Sequence, residues 1–275
     1  MDCRITAQEI APGIHHLTDR MGMHCTLLVG SKRALLFDTA YGLDDLNAAV
    51  RRITDLPFQV ILSHGHHDHA CGSYQFDSVL ADRKELPICQ LYAAGQRQRV
   101  WDQALGKGMD LADWQEEDFV GKGCGNVQPL DQDTFDLGGL TARVIALPGH
   151  TPGSIGLYVE ERQIMLAGDH FNPTVWLFFD EALPMADYLA SMERMLALPF
   201  AHILCPHGEL PFPRAAAEDF YRGCTEERIA AALPQPHLGN GKTVYGFSPA
   251  PGHFFCFDGA KLSDAWKNAL THGHC

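Results

Sequence analysis

The chain has 275 residues, 46% of them apolar and 20% charged, enough for a full hydrophobic core and too apolar for a disordered segment. Its 34 acidic residues against 21 basic ones give a formal charge of −13, which argues against a polynucleotide or an anionic membrane as partner, because both need clustered Lys and Arg. Fifteen histidines are the compositional feature that calls for an explanation.

The N-terminus, MDCRITAQEIAPG, has no basic stretch followed by an apolar core, so no secretory leader is expected. No run of about 18 apolar residues occurs, so no transmembrane helix is expected either. The nine cysteines include no CxxC pair. That speaks against a disulfide framework and a cysteine zinc ribbon, and free thiols in a cytoplasmic protein are the expectation.

In chain order, Ile10 to Leu17 predicts a short edge strand. CTLLVGSKRALLFDTA, residues 25–40, predicts a hairpin turning at Gly30 to Arg33 and ending at Asp38. Leu43, Leu46, Val50 and Ile53 share one face of a predicted helix over 43–53. Val60 to Leu62 reads as a buried strand that runs into a histidine-rich loop. The segment 81–127 reads as a peripheral excursion with a helix around Gln96 to Leu105. Two hairpins follow, over 134–147 with Gly138-Gly139 at the turn and over 154–169 turning at Glu160 to Arg162. A helix is expected over 185–198, facing inward with Leu189, Met192 and Leu196. HILCPHG, 202–208, reads as a strand and loop. The Pro-, Gly- and aromatic-rich tail suggests a helix at 214–232 and a strand at 253–257. The expected domains are 1–210, carrying the catalysis, and an extension over 211–275 packed on it.

The chemistry concentrates in Ser63-His64-Gly65-His66-His67-Asp68-His69, an HxHxDH pattern after an apolar strand. His64 and His66 are two residues apart on an extended loop and can point the same way. Asp68 and His69 follow on the turn and can face an adjacent position. Imidazoles and carboxylates at this density suit Zn, Fe or Mn, not Ca or Mg. A solvated His-rich loop is the plain alternative. Three further polar residues weaken it, because His150, Asp169 and His207 each follow an apolar strand.

Together LLVGSKRALLFDTA, SHGHHDHACG, LPGHTPGS, LAGD and CPHGE, between about residues 10 and 210, resemble the metallo-beta-lactamase superfamily. The resemblance implies an α/β fold, a four-layer αβ/βα sandwich, with a C-terminal extension covering the substrate. It implies two divalent metal ions, zinc in the first place, with iron and manganese as alternatives. One ion would sit on His64, His66 and His150, the second on Asp68, His69 and His207, with Asp169 bridging. A metal-bridging hydroxide would then attack the carbonyl of an ester, thioester or lactone, with Asp68 as its orienter and proton acceptor. In relatives an aspartate at the position of Asp38 supports the metal loop from behind, as ligating histidines require; a strand-end aspartate capping a turn is the equal alternative.

His170, Asn172 and Trp176 follow the bridging aspartate and are candidates for lining the pocket, as is His253 in the tail. Lactonase relatives carry a tyrosine where this chain has Asn172. His67 is expected to face solvent, and His15, His16, His24, His202, His237, His272 and His274 have no partner pattern. The tail's Arg214, Arg222, Arg228, Lys242, Lys261 and Lys267 form no recognisable glutathione site. A small-molecule substrate is therefore expected, with no polynucleotide or membrane partner. Other readings of the fold are a phosphodiesterase, an iron-dependent oxidoreductase similar to persulfide dioxygenases, a β-lactamase and a non-catalytic metal-binding protein. Asp169 and the absent leader speak against the β-lactamase.

Overall fold

The computed structural model describes residues 4–208, 211–238, 241–264, 267 and 270; Cys3, Cys275, His272 and His274 lie outside them. The chain divides into two compact units, Met1–Val144 with Val159–Arg162, and Ile145–Tyr158 with Gln163–Cys275.

The first unit is built on a seven-stranded sheet whose strands follow chain order: β1 (Thr6–Ala11), β2 (Ile14–Thr18), β3 (His24–Val29), β4 (Ala34–Phe37), β5 (Phe58–Ile61), β6 (Val79–Ala81) and β7 (Val127–Pro129). β1 to β4 pair antiparallel and β4 to β7 parallel. All four residues of β4 are buried, as an apolar run covered on both faces must be. The helices are α1 (Leu46–Arg51), α2 (His67–Ala70), α3 (Leu86–Cys89), α4 (Arg97–Gly106) and α5 (Glu116–Val120), and a hairpin of β8 (Thr134–Asp136) and β9 (Thr141–Ala146) follows.

The edge strand expected over Ile10 to Leu17 is instead two strands that turn at Pro12 and Gly13. Gly13 has φ +78°, and a Cβ there would lie 2.5 Å from the Val29 carbonyl oxygen, so only glycine closes this turn. The helix expected over 43–53 contracts to α1, because the Asp45 carboxylate caps it by accepting the Ala48 N–H at 2.8 Å. The segment 81–127 places Cys89, Ala93, Val100, Trp101, Ala104 and Phe119 in the core of this unit, with Leu27, Leu36 and Val60.

The second unit carries β10 (Ile155–Val159), β11 (Ile164–Leu166), β12 (Thr174–Leu177), α6 (Met185–Leu196), β13 (His202–Leu204), β14 (Phe212–Pro213), α7 (Arg214–Gly223), α8 (Glu226–Ala230), β15 (Leu233–Pro234), β16 (Val244–Phe247) and β17 (Phe254–Asp258). One run of strands is ordered β14-β13-β11-β10, and a separate sheet is ordered β12-β17-β16-β15. The helix expected over 214–232 is two helices. The chain leaves helical geometry at Cys224, and the Thr225 hydroxyl restarts it by accepting the Arg228 N–H. The inward face of α6 is Met185, Tyr188, Met192 and Met195; Leu189 and Leu196 pack at its margin. The aromatic tail is core: Phe220, Phe255 and Phe257 join Met165, Phe171 and Tyr188 in one cluster. Among the described residues, no helix is long and apolar enough to cross a membrane.

Candidate metal centre

In the first unit, β5 carries the chain directly into the histidine loop. His66 is extended (φ −66°, ψ 158°) and begins α2, so Asp68 and His69 fall in the helix's only turn. The ring centroids of His64 and His66 are 4.7 Å apart, and those of His64 and His69 4.0 Å apart. Asp68 Oδ2 is 3.7 Å from His69 Nε2. Four ligand-type side chains thus converge within one turn of chain.

Asp38 braces this loop. It sits in left-handed backbone (φ +70°), which an aspartate tolerates better than most residues, and it is 2% exposed. Its Oδ1 accepts the Ser63 N–H at 2.6 Å, and its Oδ2 accepts the Ser63 hydroxyl at 2.9 Å. The same Oδ2 is 2.9 Å from His69 Nδ1. A proton on Nδ1 satisfies that carboxylate and leaves the Nε2 lone pair able to act as a ligand. The Ser63 hydroxyl is also 3.0 Å from His64 Nδ1, so one serine steadies both imidazoles. From the other side, the buried Glu85 accepts the Gly65 N–H at 2.8 Å. Gly65 itself is required by space: a Cβ there would lie 2.7 Å from the Cys89 backbone nitrogen.

In the second unit, His150, Asp169 and His207 converge. Asp169 Oδ2 is 3.5 Å from His150 Nε2, and Asp169 Oδ1 is 3.4 Å from His207 Nε2. His150 Nδ1 donates to the Trp176 carbonyl at 2.6 Å, which fixes the tautomer that presents Nε2. Gly149 allows α6 to approach, since a Cβ there would lie 2.9 Å from Tyr188 Cα. Imidazoles oriented beside carboxylates are the donor set that Zn, Fe or Mn takes, so the residues fit such ions.

Of the residues expected to line a pocket, three are sealed into this unit. Asn172 is 1% exposed and donates its amide to Asp169 Oδ1 at 2.9 Å, so it holds the carboxylate. His253 is enclosed by Phe171, Phe212 and Phe220 and faces the Asn172 carbonyl at 3.1 Å. His170 is buried against Tyr188, and burial pushes it down to about 3. Only the Trp176 ring is exposed, at 40%, with Phe178 and Phe179 beside it. His67 is not on a solvated loop: it is half-buried between Tyr41 and Tyr92, and burial lowers its pKa. Ser63 and Glu85 were missed. Ser63 opens the quoted motif and so gave a signal; Glu85, in the polar run DRKELP, gave none.

Residues 19–207 match the family model described as the metallo-beta-lactamase superfamily. Among curated proteins, the chain is 28% identical over 207 residues to an acyl-coenzyme A thioesterase, MBLAC2, of Bos taurus, covering 62% of this chain and 66% of that protein. It is 24% identical over 190 residues to glyoxylase B2 of Dictyostelium discoideum, covering 68% of this chain and 61% of that protein. The chain thus spans just under two thirds of these relatives' length. Among solved structures, the metallo-beta-lactamase family protein TTHA1429 of Thermus thermophilus superposes with a TM-score of 0.58 at 21% identity, covering 81% of this chain and 82% of that one. TTHA1623, solved in a di-iron-bound form, superposes with a TM-score of 0.55 at 23% identity, covering 72% and 92%. A match over this much of the chain, with the α/β fold it shares with those structures, makes the chain a member of the metallo-beta-lactamase superfamily.

Proposed function

We propose that this chain is a dimetal hydrolase that cleaves the acyl bond of a small ester or thioester, with lactones as a further substrate class. One observation carries the reading: a single carboxylate, Asp169, offers one oxygen beside His150 and the other beside His207, as a ligand shared by two ions would. In this reading one ion takes His64, His66 and His150, and the second takes Asp68, His69 and His207. When bound, such a pair supplies Lewis acidity and brings the pKa of a water towards neutrality. The remaining work falls to the chain. Asp68, 15% exposed, is the carboxylate placed to accept the proton. Asp38 and the Trp176 carbonyl hold His69 and His150 in the ligating tautomer. The exposed Trp176 ring gives an apolar acyl group something to rest on.

Relatives named as acyl-coenzyme A thioesterases support the thioester within this set. The lactone is the weakest member, because Asn172 stands where lactonase relatives have a tyrosine and its amide is engaged by Asp169. The described cysteines are all free thiols, which supports a cytoplasmic setting. The charge of −13 supports a small molecule over a polynucleotide as partner.

Metal analysis of carefully loaded protein is the first test. Two equivalents per chain are expected; fewer than about 1.5 would sink the dimetal centre. A panel of chromogenic esters, thioesters, lactones and phosphodiesters is the second. Turnover only of a bis-aryl phosphate would overturn the acyl reading. Asp169→Ala is expected to lose activity and one metal equivalent, and unchanged metal content would remove its bridging role.

A further inference from the structure

In the second unit a surface of aromatic rings starts at a histidine of the candidate metal centre. The Phe179 ring stands perpendicular to the His150 imidazole, with centroids 5.7 Å apart and planes at 89°. Phe178 stacks on Phe179 at 4.9 Å. The Trp176 ring lies 5.4 Å from Phe178 and 6.0 Å from Phe179. Among the described residues the exposed large hydrophobics are Leu91, Leu105, Leu233 and Trp176. Single leucines on a surface are ordinary. Trp176 differs, because two further rings continue it to His150.

This surface is built stiff. Phe178 is buried with Val244 and Cys256, and Phe179, Leu238 and Phe254 pack against them. Trp176 and Leu177 are fixed in β12 by pairing with Cys256 and Phe257 of β17. The turn after β12 is tied down from the tail. Lys242 donates to the Phe178 carbonyl at 3.0 Å and pairs with Asp180. Lys261 donates to the Asp180 carbonyl at 3.0 Å and to the Ala182 carbonyl. Rings held in place before a ligand arrives lose little freedom when it settles on them. A ring settling there stacks or meets them edge to face, which is worth about 2- to 10-fold in affinity beyond the area buried. A saturated group of the same size gains the area alone.

We propose that Trp176 and Phe179 select a flat aryl group in the acyl half of the substrate, so that arylacyl thioesters and esters are preferred. Which bond is cleaved rests on the hydrolase reading; which acyl group is preferred rests on these rings. Water adds to the carbonyl carbon, the C–S or C–O bond breaks, and the products are the arylacyl carboxylate and a thiol or alcohol.

Two thioesters of one thiol, phenylacetyl and cyclohexylacetyl, are compared for turnover. Phenylacetate and cyclohexylacetate are compared for binding to the metal-loaded protein by calorimetry. The two acyl groups share one carbon skeleton, and apolar area does not favour the flatter ring. Wild type is expected to favour the phenyl member about 2- to 10-fold in kcat/KM and in Kd. Trp176→Leu and Phe179→Leu each keep an apolar side chain and are expected to reduce both ratios, and the double substitution to bring them to unity or below. A wild-type ratio at or below one, with both thioesters turned over, would overturn the aryl preference and leave the hydrolase standing; so would a ratio that survives the double substitution. Phenylacetate favoured in binding with neither thioester turned over would support the aromatic surface and defeat the hydrolase reading. Absence of both turnover and carboxylate binding would sink both.

Discussion

Asp38→Asn changes one atom and leaves the volume of the side chain alone. The wild-type carboxylate accepts three contacts: the Ser63 N–H at 2.6 Å, the Ser63 hydroxyl at 2.9 Å and His69 Nδ1 at 2.9 Å. Asparagine can keep the first with its carbonyl oxygen. Its NH2 then faces two donors where an acceptor stood. The hydroxyl can rotate away, but His69 is fully buried and cannot turn into water. The available relief is a change of tautomer: Nδ1 accepts from the amide, and the proton moves to Nε2. That removes the lone pair that would bind a metal. Loss of such a supporting contact typically costs about 10- to 100-fold in metal affinity, or about 1.4–2.8 kcal/mol. With the tautomer changed, no buried donor is left facing a donor, so the metal-free variant is expected to lose less than about 1 kcal/mol of stability. The assay is competitive titration against a chromophoric chelator, with circular dichroism to confirm folding. One equivalent is expected to weaken, the one assigned to His69, while the one assigned to His64, His66 and His150 holds. Wild-type affinity at both equivalents in a folded variant would refute the tautomer argument.

Gly65→Ala puts a Cβ 2.7 Å from the Cys89 nitrogen and 2.9 Å from Ile88 Cγ2. One neighbour is backbone, so the loop must move, and a loss of about 1–3 kcal/mol in denaturant unfolding is expected together with weaker metal retention; a variant unchanged in both would show that the loop has slack. Glu85→Ala strands the buried Gly65 N–H, with a similar loss of about 1–3 kcal/mol expected, whereas Glu85→Gln keeps an acceptor and is expected to lose less. Equal losses for the two would mean that Glu85 acts through its charge. Asp19 supplies the pH test. Burial raises its pKa from 3.8 to about 6, partly opposed by the Met23 N–H that it accepts. A carboxyl raised on folding contributes stability that is full below the unfolded pKa and is lost as pH rises through the folded one. The stability of wild type minus that of Asp19→Asn is therefore expected to fall by about 2.4 kcal/mol between pH 4 and pH 7, because at pH 4 the unfolded carboxyl is already partly ionised. A difference that stays flat over that range would sink the assignment.

The candidate ligands His64, His150, Asp169 and His207 stand out because each lies shortly after an apolar strand, and a polar residue at such a boundary is visible in one dimension. His64 follows β5, Asp169 follows β11 and His207 follows β13 closely. The residues that hold them were not legible, because their partners are remote. Glu85 meets Gly65 across 20 residues, and Asp38 meets His69 across 31. The fate of Asn172 and His253 was likewise nonlocal. β12 and β17 pair in parallel, Thr174 against Phe254, and this seals His253 over the Asn172 carbonyl. Read along the chain, a histidine or asparagine near a ligand looks available for substrate; the pairing spends both. The inward face of α6 was legible in part: Met192 is buried and Leu189 and Leu196 pack against the core, while Met185, Tyr188 and Met195 turn further in. Met185, Tyr188 and Met195 compete with Leu189 and Leu196 for the same arc, and the tight contact between Gly149 and Tyr188 settles which side turns in.

The two oriented histidines are not held alike, and this bears on how the proposed ions would differ. His150 Nδ1 gives its proton to a neutral carbonyl, that of Trp176. His69 Nδ1 faces an ionisable carboxylate, that of Asp38. A carboxylate behind an imidazole makes the ligating nitrogen more basic than a carbonyl does. The proposed second ion also takes Asp68 directly, so two carboxylates act on it besides the shared Asp169, against none besides Asp169 on the first. Three imidazoles suit a softer, zinc-like ion, and a carboxylate-rich set tolerates a harder one such as iron or manganese. If two ions bind in this way, the local charge, more than the total of −13, would set the preference of each position, and residues that a count of histidines alone treats as equivalent would favour a mixed pair of metals.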